Sequence, residues 1–269
     1  MPAAHPEPDR LLEPLRDEPS ASAVLSDVDG TLAPIVDDPG AAAVLPAGRD
    51  ALAELAASFA LVACVSGRPA AEARRIVGLD GVTYLGNHGL ERLDPGAPAA
   101  RASTALAGHE GDAAAFLARI AAGRIAAAGL RTEDKGAIRA LHWRGAEDED
   151  GAAAEAAAIA AEAEAAGLAV HHGRKVLELR PPVPFDKGSA IAELLGDRPI
   201  RHALYAGDDR TDVDGFRALR DRAASGGLET AVCVAIGSSE SPPEVTAEAD
   251  LVVAGPAEFA ALLGRLARA

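Results

Sequence analysis

Two carboxylates, Asp27 and Asp29, follow a short apolar run and stand two residues apart, ahead of a glycine and a threonine. A third carboxylate, Asp208, follows another apolar run and a glycine. Carboxylates that crowd together repel one another, so they either share a proton or are neutralised by a cation. Because no His or Cys lies in the same turns, these oxygen donors suit Mg²⁺. We therefore predict a magnesium site with Asp27, Asp29 and Asp208 as ligands.

The turn after Asp29 predicts different tasks for the first two carboxylates. In a continuous strand Asp27 and Asp29 would point to the same face, but the Gly30-Thr31 pair that follows allows the chain to turn. One carboxylate can then coordinate metal and attack phosphorus, while the other points at the leaving oxygen. This arrangement favours phosphoryl transfer, which needs mainly positioning and charge stabilisation.

Two further polar clusters, Ser66-Gly67-Arg68 and Asp186-Lys187-Gly188, are also expected at the carboxyl ends of strands, where open α/β sheets bind their ligands. Lys187 would supply positive charge to an acidic site. Taken alone, Ser66-Gly67-Arg68 is equally consistent with a helix N-cap, and single Asp-Gly pairs often mark only turns. Four such clusters in one chain favour the functional interpretation.

The elements that would position these clusters alternate between buried strands and helices. Uninterrupted apolar runs are typical of parallel strands that are covered on both faces. Predicted strands lie at 23–26, 60–65, 82–85, 203–206, 231–236 and 251–253, and predicted helices at 48–58, 70–77 and 256–268. This alternation predicts an α/β fold with a doubly wound, mainly parallel, Rossmann-like sheet.

The middle of the chain has a different pattern, in which strands are polar on one face. The predicted elements are a helix over 112–128, a strand over 138–143, an Ala-rich helix that begins at 147–150, and strands at 168–171 and 176–179. This pattern indicates a small antiparallel α+β unit, and three prolines within 181–184 suit a stiff linker. We therefore expect an inserted α/β cap domain at 105–181 between two parts, 1–104 and 182–269, of one catalytic core.

The composition limits the partners that the chain can have. Its 269 residues carry a formal net charge of −15, which argues against a nucleic acid or an anionic membrane as partner. Cys64 and Cys233 stand in apolar runs and are expected as buried free thiols. Residues 1–19 read as a polar lead-in without a signal peptide, and no run has the roughly 20 apolar residues of a membrane helix. We therefore expect a cytoplasmic protein.

The four clusters arrive in the order of the haloacid-dehalogenase-like phosphatases, which the chain resembles from Asp27 to Asp212. The resemblance implies that Asp27 forms a covalent phospho-enzyme and that Asp29 is the general acid and base. Lys187 would balance the charge of the attacking carboxylate. Phosphate oxygens would be held by Gly30, Thr31, Ser66, Gly67 and Arg68. The Mg²⁺ ligands would be Asp27, Asp29 and Asp208, supported directly or through water by Asp209 or Asp212.

Within that superfamily the chain is most similar to trehalose-6-phosphate phosphatases, through the segments 27–35, 66–69, 86–89, 133–136, 142–144 and 173–181. The resemblance implies hydrolysis of trehalose 6-phosphate and a functional link to a trehalose-phosphate synthase. The chain departs from the family at Val28, where an aromatic residue is common, and at Trp143, where Tyr is common. The residues expected to contact sugar hydroxyls are Lys175 and Glu178 and, as further candidates, Asn87, His88, Lys135 and Arg144.

Three other interpretations stay open. The chain could be a phosphatase for another sugar phosphate (sucrose, mannosyl-glycerate or hexose phosphate), or a phosphomutase that isomerises its substrate without net release of phosphate. It could also be a catalytically silent partner of a synthase, although the intact set of Asp27, Asp29, Lys187 and Asp208 argues against that.

Trp143 is equally consistent with core packing and with sugar stacking. His142, His171 and His172 are expected as surface or packing residues.

Overall fold

The computed structural model describes residues 8–36, 38–173, 175–196, 198–238 and 241–268. The strands are β1 Ser22–Asp27, β2 Leu61–Val65, β3 Thr83–Gly86, β4 Glu91–Leu93, β5 Arg101–Ala102, β6 Arg131–Lys135, β7 Ile138–His142, β8 Ala169–Gly173, β9 Val176–Arg180, β10 His202–Gly207, β11 Thr230–Gly237 and β12 Leu251–Ala254. The helices are α1 Pro8–Asp17, α2 Pro46–Ser58, α3 Ala70–Val77, α4 Asp112–Arg119, α5 Ala122–Ala127, α6 Glu149–Ala165, α7 Lys187–Leu195, α8 Arg210–Ala224, α9 Pro243–Ala247 and α10 Gly255–Ala267.

The chain forms two compact units. One comprises Met1–Arg101 together with Phe185–Ala269, and the other comprises Ala102–Pro184. In the described parts of the chain, none of the helices combines the length and the apolar character that crossing a membrane would require.

The first unit is built on a sheet with the strand order β12-β11-β10-β1-β2-β3-β4-β5. Strand β1 lies in its middle and pairs in parallel with β10 on one side and β2 on the other. The strands from β12 to β3 are parallel, and β4 pairs antiparallel with β3. This arrangement confirms the predicted mainly parallel sheet, and it places Asp27 at the carboxyl end of a central strand.

Both faces of this sheet are buried. Successive side chains of β1 point to opposite faces and pack in two different hydrophobic cores. Val24 packs in a core that includes Leu52 of α2 and Phe259 of α10. Its neighbour Leu25 packs in a second core that includes Ile191 of α7 and Phe216 of α8. Helices on both faces make the sheet doubly wound, as predicted.

The second unit contains an antiparallel sheet with the strand order β6-β7-β9-β8. Leu141 and Leu177 lie on the face that packs with the helices, in a core that includes Phe116 of α4 and Ile159 of α6. Because side chains alternate along a strand, Glu178 and its cross-strand partner Ala140 belong to the opposite face. That face of the sheet carries the polar side chains described below.

The helix predicted over 112–128 is broken into α4 and α5. Ile120 and Ala121 have extended backbone conformations between the two helices. Phe116 and Ile125 are nine residues apart, so a straight helix would turn them to opposite sides. Both are buried in the same core, which the break permits. The prediction of one helix was wrong because Ile120 and Ala121, where the break lies, are ordinary helix residues, and the nearby Gly123 is itself helical in α5.

The prediction lacked strands β4, β5 and β6 and helices α1, α7, α8 and α9. Strand β6 has the sequence Arg-Thr-Glu-Asp-Lys and stands at the edge of the antiparallel sheet, where charged residues are common. Helix α1 lies in the segment interpreted as a polar lead-in, but Leu12 and Leu15 on one side of it are fully buried. These two leucines, three residues apart, and the partly buried Leu11 pack this helix against the core.

Candidate active site

Asp27 is the last residue of β1, and its surroundings are apolar apart from a few charged groups. Its side chain is almost completely buried, and its Oδ1 accepts a hydrogen bond of 2.7 Å from Lys187 Nζ. Burial raises the pKa of Asp27 well above its ordinary value, although Lys187 opposes the shift. Asp212 and Asp208 raise the pKa of Asp27 further because they bring negative charge. An ionised Asp27 therefore requires cations close to it.

Lys187 is the first residue of α7, and the side chain of Asp186 caps this helix by accepting from the Ser189 N–H at 2.7 Å. The Asp186-Lys187-Gly188 cluster was expected after a core strand, and that expectation was wrong. Strand β9, which precedes it, belongs to the antiparallel sheet and ends at Arg180. Lys187 therefore enters the site from the start of a helix.

The Lys187 amine also donates to Asp212 Oδ1 at 2.7 Å, so it bridges two carboxylates. Burial alone lowers the pKa of Lys187, but Asp212 and Asp27 outweigh burial and raise it above the ordinary value. The amine is 4% exposed and lies between two acids, which keeps it charged. Lys187 is the local positive charge that the acidic composition required.

Asp212 organises the acidic turn that follows β10. Its Oδ2 accepts from the backbone N–H groups of Asp208 and Asp209 at 3.1 and 3.0 Å, and its Oδ1 also accepts from the Tyr205 hydroxyl. Asp209 and Asp212 together form a capping box at the start of α8. The fully buried Asp212 thus joins the start of α8 to Lys187. Sequence reasoning did not identify Tyr205, which carries no signal beyond its place in an apolar run.

Asp27, Asp208 and Asp212 form one carboxylate cluster, in which one oxygen of each lies within 4.8 Å of the others. Burial raises the pKa of Asp208 to about 7, with a further contribution from Asp212, while a hydrogen bond of 3.0 Å from Thr31 Oγ1 opposes the rise. Three crowded carboxylates, of which the Lys187 amine contacts only Asp27 and Asp212, fit a hard divalent cation such as Mg²⁺. Within the described residues, the cluster does not include Asp29 or Asp209, which were also expected as ligands.

Gly30 is required by the close approach of the β1 loop to Asp208. Its φ of +85° lies in the left-handed region, and a Cβ at this position would stand 2.1 Å from Asp208 Oδ2. The Gly30 N–H, expected to bind phosphate, donates to the Ala33 carbonyl at 2.7 Å. Gly30 therefore acts on the site by allowing Asp208 to approach the end of β1.

The Ser66-Gly67-Arg68 segment is a tight turn after β2. Ser66 Oγ accepts from the Arg68 N–H at 3.1 Å, and the residue that caps α3 is Pro69, so the N-cap interpretation of Ser66 was wrong. The backbone of the next loop supports this turn, because the Asn87 N–H donates to the Arg68 carbonyl at 2.8 Å. Asn87 is buried and has a φ of +51°. These contacts hold the turn after β2 against the turn after β3.

His88, expected as a sugar ligand, lies against this turn. The backbone N–H of His88 donates to the Ser66 carbonyl at 2.9 Å. A Cβ at Gly67 would stand 2.9 Å from the His88 ring, so Gly67 is needed for the ring to pack there. The structure therefore brings His88 together with Ser66 and Gly67.

Arg68 makes a two-point contact with Asp29. Its Nε donates to Asp29 Oδ2 and its Nη2 donates to Asp29 Oδ1, both at 2.7 Å. Its Nη1 donates to Glu72 at 2.5 Å, a contact that sequence reasoning missed. The hydrogen bonds that Arg68 donates to Asp29 are the main cause of a raised pKa of Arg68. Asp29, Arg68 and Asp208 line a cavity of about 400 Å³, whose other walls include Ile35, Val36, Asp209, Ser238, Ser241 and Pro242.

The candidate sugar ligands of the second unit form two ion-paired groups. Glu178 is 8% exposed and accepts from Lys135 Nζ at 2.8 Å. Its other oxygen accepts from two nitrogens of Arg180, a residue two positions along the same strand and therefore on the same face. Sequence reasoning did not single out Arg180.

The other group lies near the start of α6. Lys175, with a φ of +61°, donates to Glu149. The hydrogen bond from Lys175 is the main cause of a lowered pKa of Glu149, and the charge of the exposed Arg144 lowers it further. Glu149 was expected only as part of a solvated helix start. Arg174, which belongs to the segment 173–181 that carries the family resemblance, lies outside the described residues.

The parallel core sheet and the antiparallel four-stranded sheet give the chain the fold of the haloacid dehalogenase-like hydrolases, and the carboxylate–lysine cluster lies at the end of β1 in that fold. The fold matches the crystal structure of a haloacid dehalogenase-like hydrolase from Bacteroides thetaiotaomicron with a TM-score of 0.66 and 14% identity, over 91% of this chain and 99% of that chain. It also matches the C-terminal domain of Candida albicans trehalose-6-phosphate phosphatase with a TM-score of 0.76 and 23% identity, over 98% of each chain.

The model of the family described as trehalose-phosphatase matches residues 25–250. The chain therefore belongs to the trehalose-phosphatase family, a family of phosphoric monoester hydrolases. A trehalose-phosphate phosphatase of Mycobacterium marinum is 36% identical over 251 residues, which cover 91% of this chain and 61% of that protein. A Mycobacterium tuberculosis protein described as an uncharacterized glycosyl hydrolase is 40% identical over 205 residues, covering 74% of this chain and 15% of that protein. The chain thus spans between 15% and 61% of the length of these relatives.

Proposed function

We propose that this chain is a Mg²⁺-dependent phosphatase that hydrolyses trehalose 6-phosphate to trehalose and phosphate through an aspartyl-phosphate on Asp27. The observation that carries the proposal is the Lys187 amine, 2.7 Å from Asp27 and 2.7 Å from Asp212, beside the third carboxylate of Asp208. A buried carboxylate held next to a fixed cation at the end of a central strand is equipped to act as a nucleophile.

The residues that would hold Mg²⁺ are Asp27 and Asp208, supported by Asp212. The fit is supported by the raised pKa values of Asp27 and Asp208, since burial and mutual repulsion make two free carboxylates unfavourable there. Bound at this cluster, Mg²⁺ would neutralise negative charge on the carboxylates and on the phosphoryl group. Asp212 already accepts four hydrogen bonds, which favours a supporting role for it.

The reaction would run in two displacements. A carboxylate oxygen of Asp27 attacks phosphorus, the bond between phosphorus and the sugar oxygen breaks, and Asp29 gives a proton to the departing alcohol. Asp29 then takes a proton from a water molecule that attacks the phosphorus of the acyl phosphate, which releases phosphate and restores Asp27. Lys187 stabilises the charge of the Asp27 carboxylate throughout. Ser66, Gly67 and Thr31 are the groups that we propose for the phosphate oxygens.

The choice of trehalose 6-phosphate is supported by membership of the trehalose-phosphatase family. A disaccharide presents many hydroxyl groups, and charged side chains are strong partners for them. We propose that Glu178, Lys135 and Lys175 bind these hydroxyls, with Arg144, Asn87 and His88 as further candidates. The substrate would be supplied by a trehalose-phosphate synthase, and the cytoplasm is the location that we expect for this reaction.

A panel of phosphate esters tests the proposal. Phosphate release should be fastest from trehalose 6-phosphate, well ahead of sucrose 6-phosphate and glucose 6-phosphate. Equal turnover of glucose 6-phosphate would contradict the disaccharide assignment. Analysis of the sugar product separates a phosphatase from a phosphomutase, because the mutase would return an isomeric sugar phosphate and little free phosphate.

A further inference from the structure

The Arg68 side chain donates hydrogen bonds to two carboxylates, those of Asp29 and Glu72. Its Nε and Nη2 each donate to a different oxygen of Asp29 at 2.7 Å, and its Nη1 donates to Glu72 at 2.5 Å. Paired N–H donors on a carboxylate fix the orientation of that carboxylate as well as its position. The sequence had placed Arg68 among the phosphate ligands, whereas these contacts direct its guanidinium towards Asp29.

Arg68 is the better anchored of the two partners. Its side chain is 17% exposed, compared with 35% for Asp29. Its backbone N–H donates to Ser66 Oγ, and its carbonyl accepts from the Asn87 N–H. Glu72, one turn along α3, holds the far side of the guanidinium. Hydrogen bonds therefore hold both the backbone of Arg68 and its guanidinium, and the guanidinium in turn orients Asp29.

We propose that Arg68 is a positioning residue that orients the Asp29 carboxylate for proton transfer, and that it is not a ligand of the substrate phosphate. This inference rests on the proposed function, in which Asp29 protonates the leaving alcohol. Misplacement of a catalytic group by even about 1 Å can cost roughly a hundredfold in rate, which is why such an anchor matters.

The two roles predict different dependence on the leaving group. A sugar alkoxide is a poor leaving group, and a positioned general acid accelerates its departure by roughly a hundredfold to ten-thousandfold. The p-nitrophenolate ion leaves without a proton, so its departure does not depend on the orientation of Asp29. A phosphate ligand, in contrast, contacts a group that both esters share.

The experiment compares Arg68→Gln with the parent enzyme on trehalose 6-phosphate and on p-nitrophenyl phosphate. We compare kcat/KM, which reports the steps up to departure of the leaving group and leaves out the later hydrolysis of the acyl phosphate, where Asp29 also acts for both esters. We expect kcat/KM to fall by about a hundredfold for trehalose 6-phosphate and by less than about threefold for p-nitrophenyl phosphate. The inhibition constant of inorganic phosphate should stay within about twofold, because Arg68 in this role does not bind the phosphate. Arg68→Lys, which keeps the charge but loses the two-point contact, should restore only part of the lost rate.

Two further variants make the result specific. Arg75→Gln removes an exposed arginine of α3 that lies 3.8 Å from Glu72, and it should leave both activities unchanged. In an Asp29→Asn background, Arg68→Gln should cost less than about threefold on trehalose 6-phosphate, because residues that act as one unit are not additive. Thermal unfolding of each variant verifies that it is folded.

Equal losses of kcat/KM on the two esters, with weaker inhibition by inorganic phosphate, would overturn the inference and return Arg68 to the phosphate site. A full additional loss in the Asp29→Asn background would overturn it as well. If the parent enzyme hydrolyses neither ester, the proposed function fails and the inference fails with it. The first two results leave the proposed function intact, so the two failures are distinguishable.

Discussion

Lys187 and Asp27 are 160 positions apart in the chain, yet Lys187 Nζ lies 2.7 Å from Asp27 Oδ1. The contact joins the start of α7 to the end of β1, and the same amine holds Asp212. Replacing Lys187 by Met should leave two buried carboxylates without their cation, at a cost of about 3–5 kcal/mol in the free energy of unfolding. Turnover should be lost as well, because Asp27 loses its fixed counter-charge. Denaturant unfolding together with phosphate release measures both effects, and an unchanged stability would contradict the buried bridge.

Mg²⁺ should stabilise the folded protein. A ligand that binds only the native state at one hundred times its Kd adds about 2.7 kcal/mol to the free energy of unfolding. Asp208→Asn should remove most of that gain, whereas Asp50→Asn, which changes an exposed carboxylate in α2, should keep it. Thermal unfolding with and without Mg²⁺ measures the gain without relying on activity. A chelator should also stop turnover, and an equal gain in Asp208→Asn would place the metal elsewhere.

A methyl group at Gly30 should disrupt the site. Gly30→Ala puts a Cβ 2.1 Å from Asp208 Oδ2 at a residue whose φ is +85°. We expect a cost of about 1–3 kcal/mol in unfolding free energy and the loss of most activity, because Asp208 must move. Gly81→Ala is the matched control, since a Cβ there meets no atom within 4 Å. If both variants behave alike, the close approach of Gly30 to Asp208 is unimportant.

Glu178 should determine specificity for the sugar. Glu178→Gln keeps the size of the side chain but removes the charge that holds Lys135 and Arg180. Since a hydrogen bond to a charged group contributes about 1.5–3 kcal/mol, kcat/KM for trehalose 6-phosphate should fall by roughly tenfold to a hundredfold. Hydrolysis of p-nitrophenyl phosphate should change little. Glu155→Gln, which removes another ion-paired glutamate of the same unit, serves as control. Equal losses on both esters would remove Glu178 from sugar recognition.

The sequence predicted the core strands well because they are uninterrupted apolar runs. Ala23–Ser26 is buried on both faces in β1, and the same holds for the run that became β10. The four polar clusters that follow or flank these elements were recognised from their residue types. Burial patterns of this kind are local, so a single sequence contains them.

The errors concern properties that are not local. Strand β6 is charged and takes its place in the sheet by pairing with β7, which no pattern within Arg131–Lys135 indicates. The break between α4 and α5 is required by the common core of Phe116 and Ile125. The contact of Arg68 with Asp29 spans 39 positions and depends on how two loops face each other. Residue types indicated which groups could do chemistry, and only the fold showed which groups touch.

The covalent step on Asp27 is tested most directly by rapid quenching of the enzyme with trehalose 6-phosphate that carries a labelled phosphate. The account predicts labelled protein during turnover, with the label on the Asp27 peptide and with the lability of an acyl phosphate. Asp27→Asn should remain folded, carry no label and release no phosphate, since an amide cannot replace the nucleophilic carboxylate. Normal phosphate release by Asp27→Asn would contradict the account.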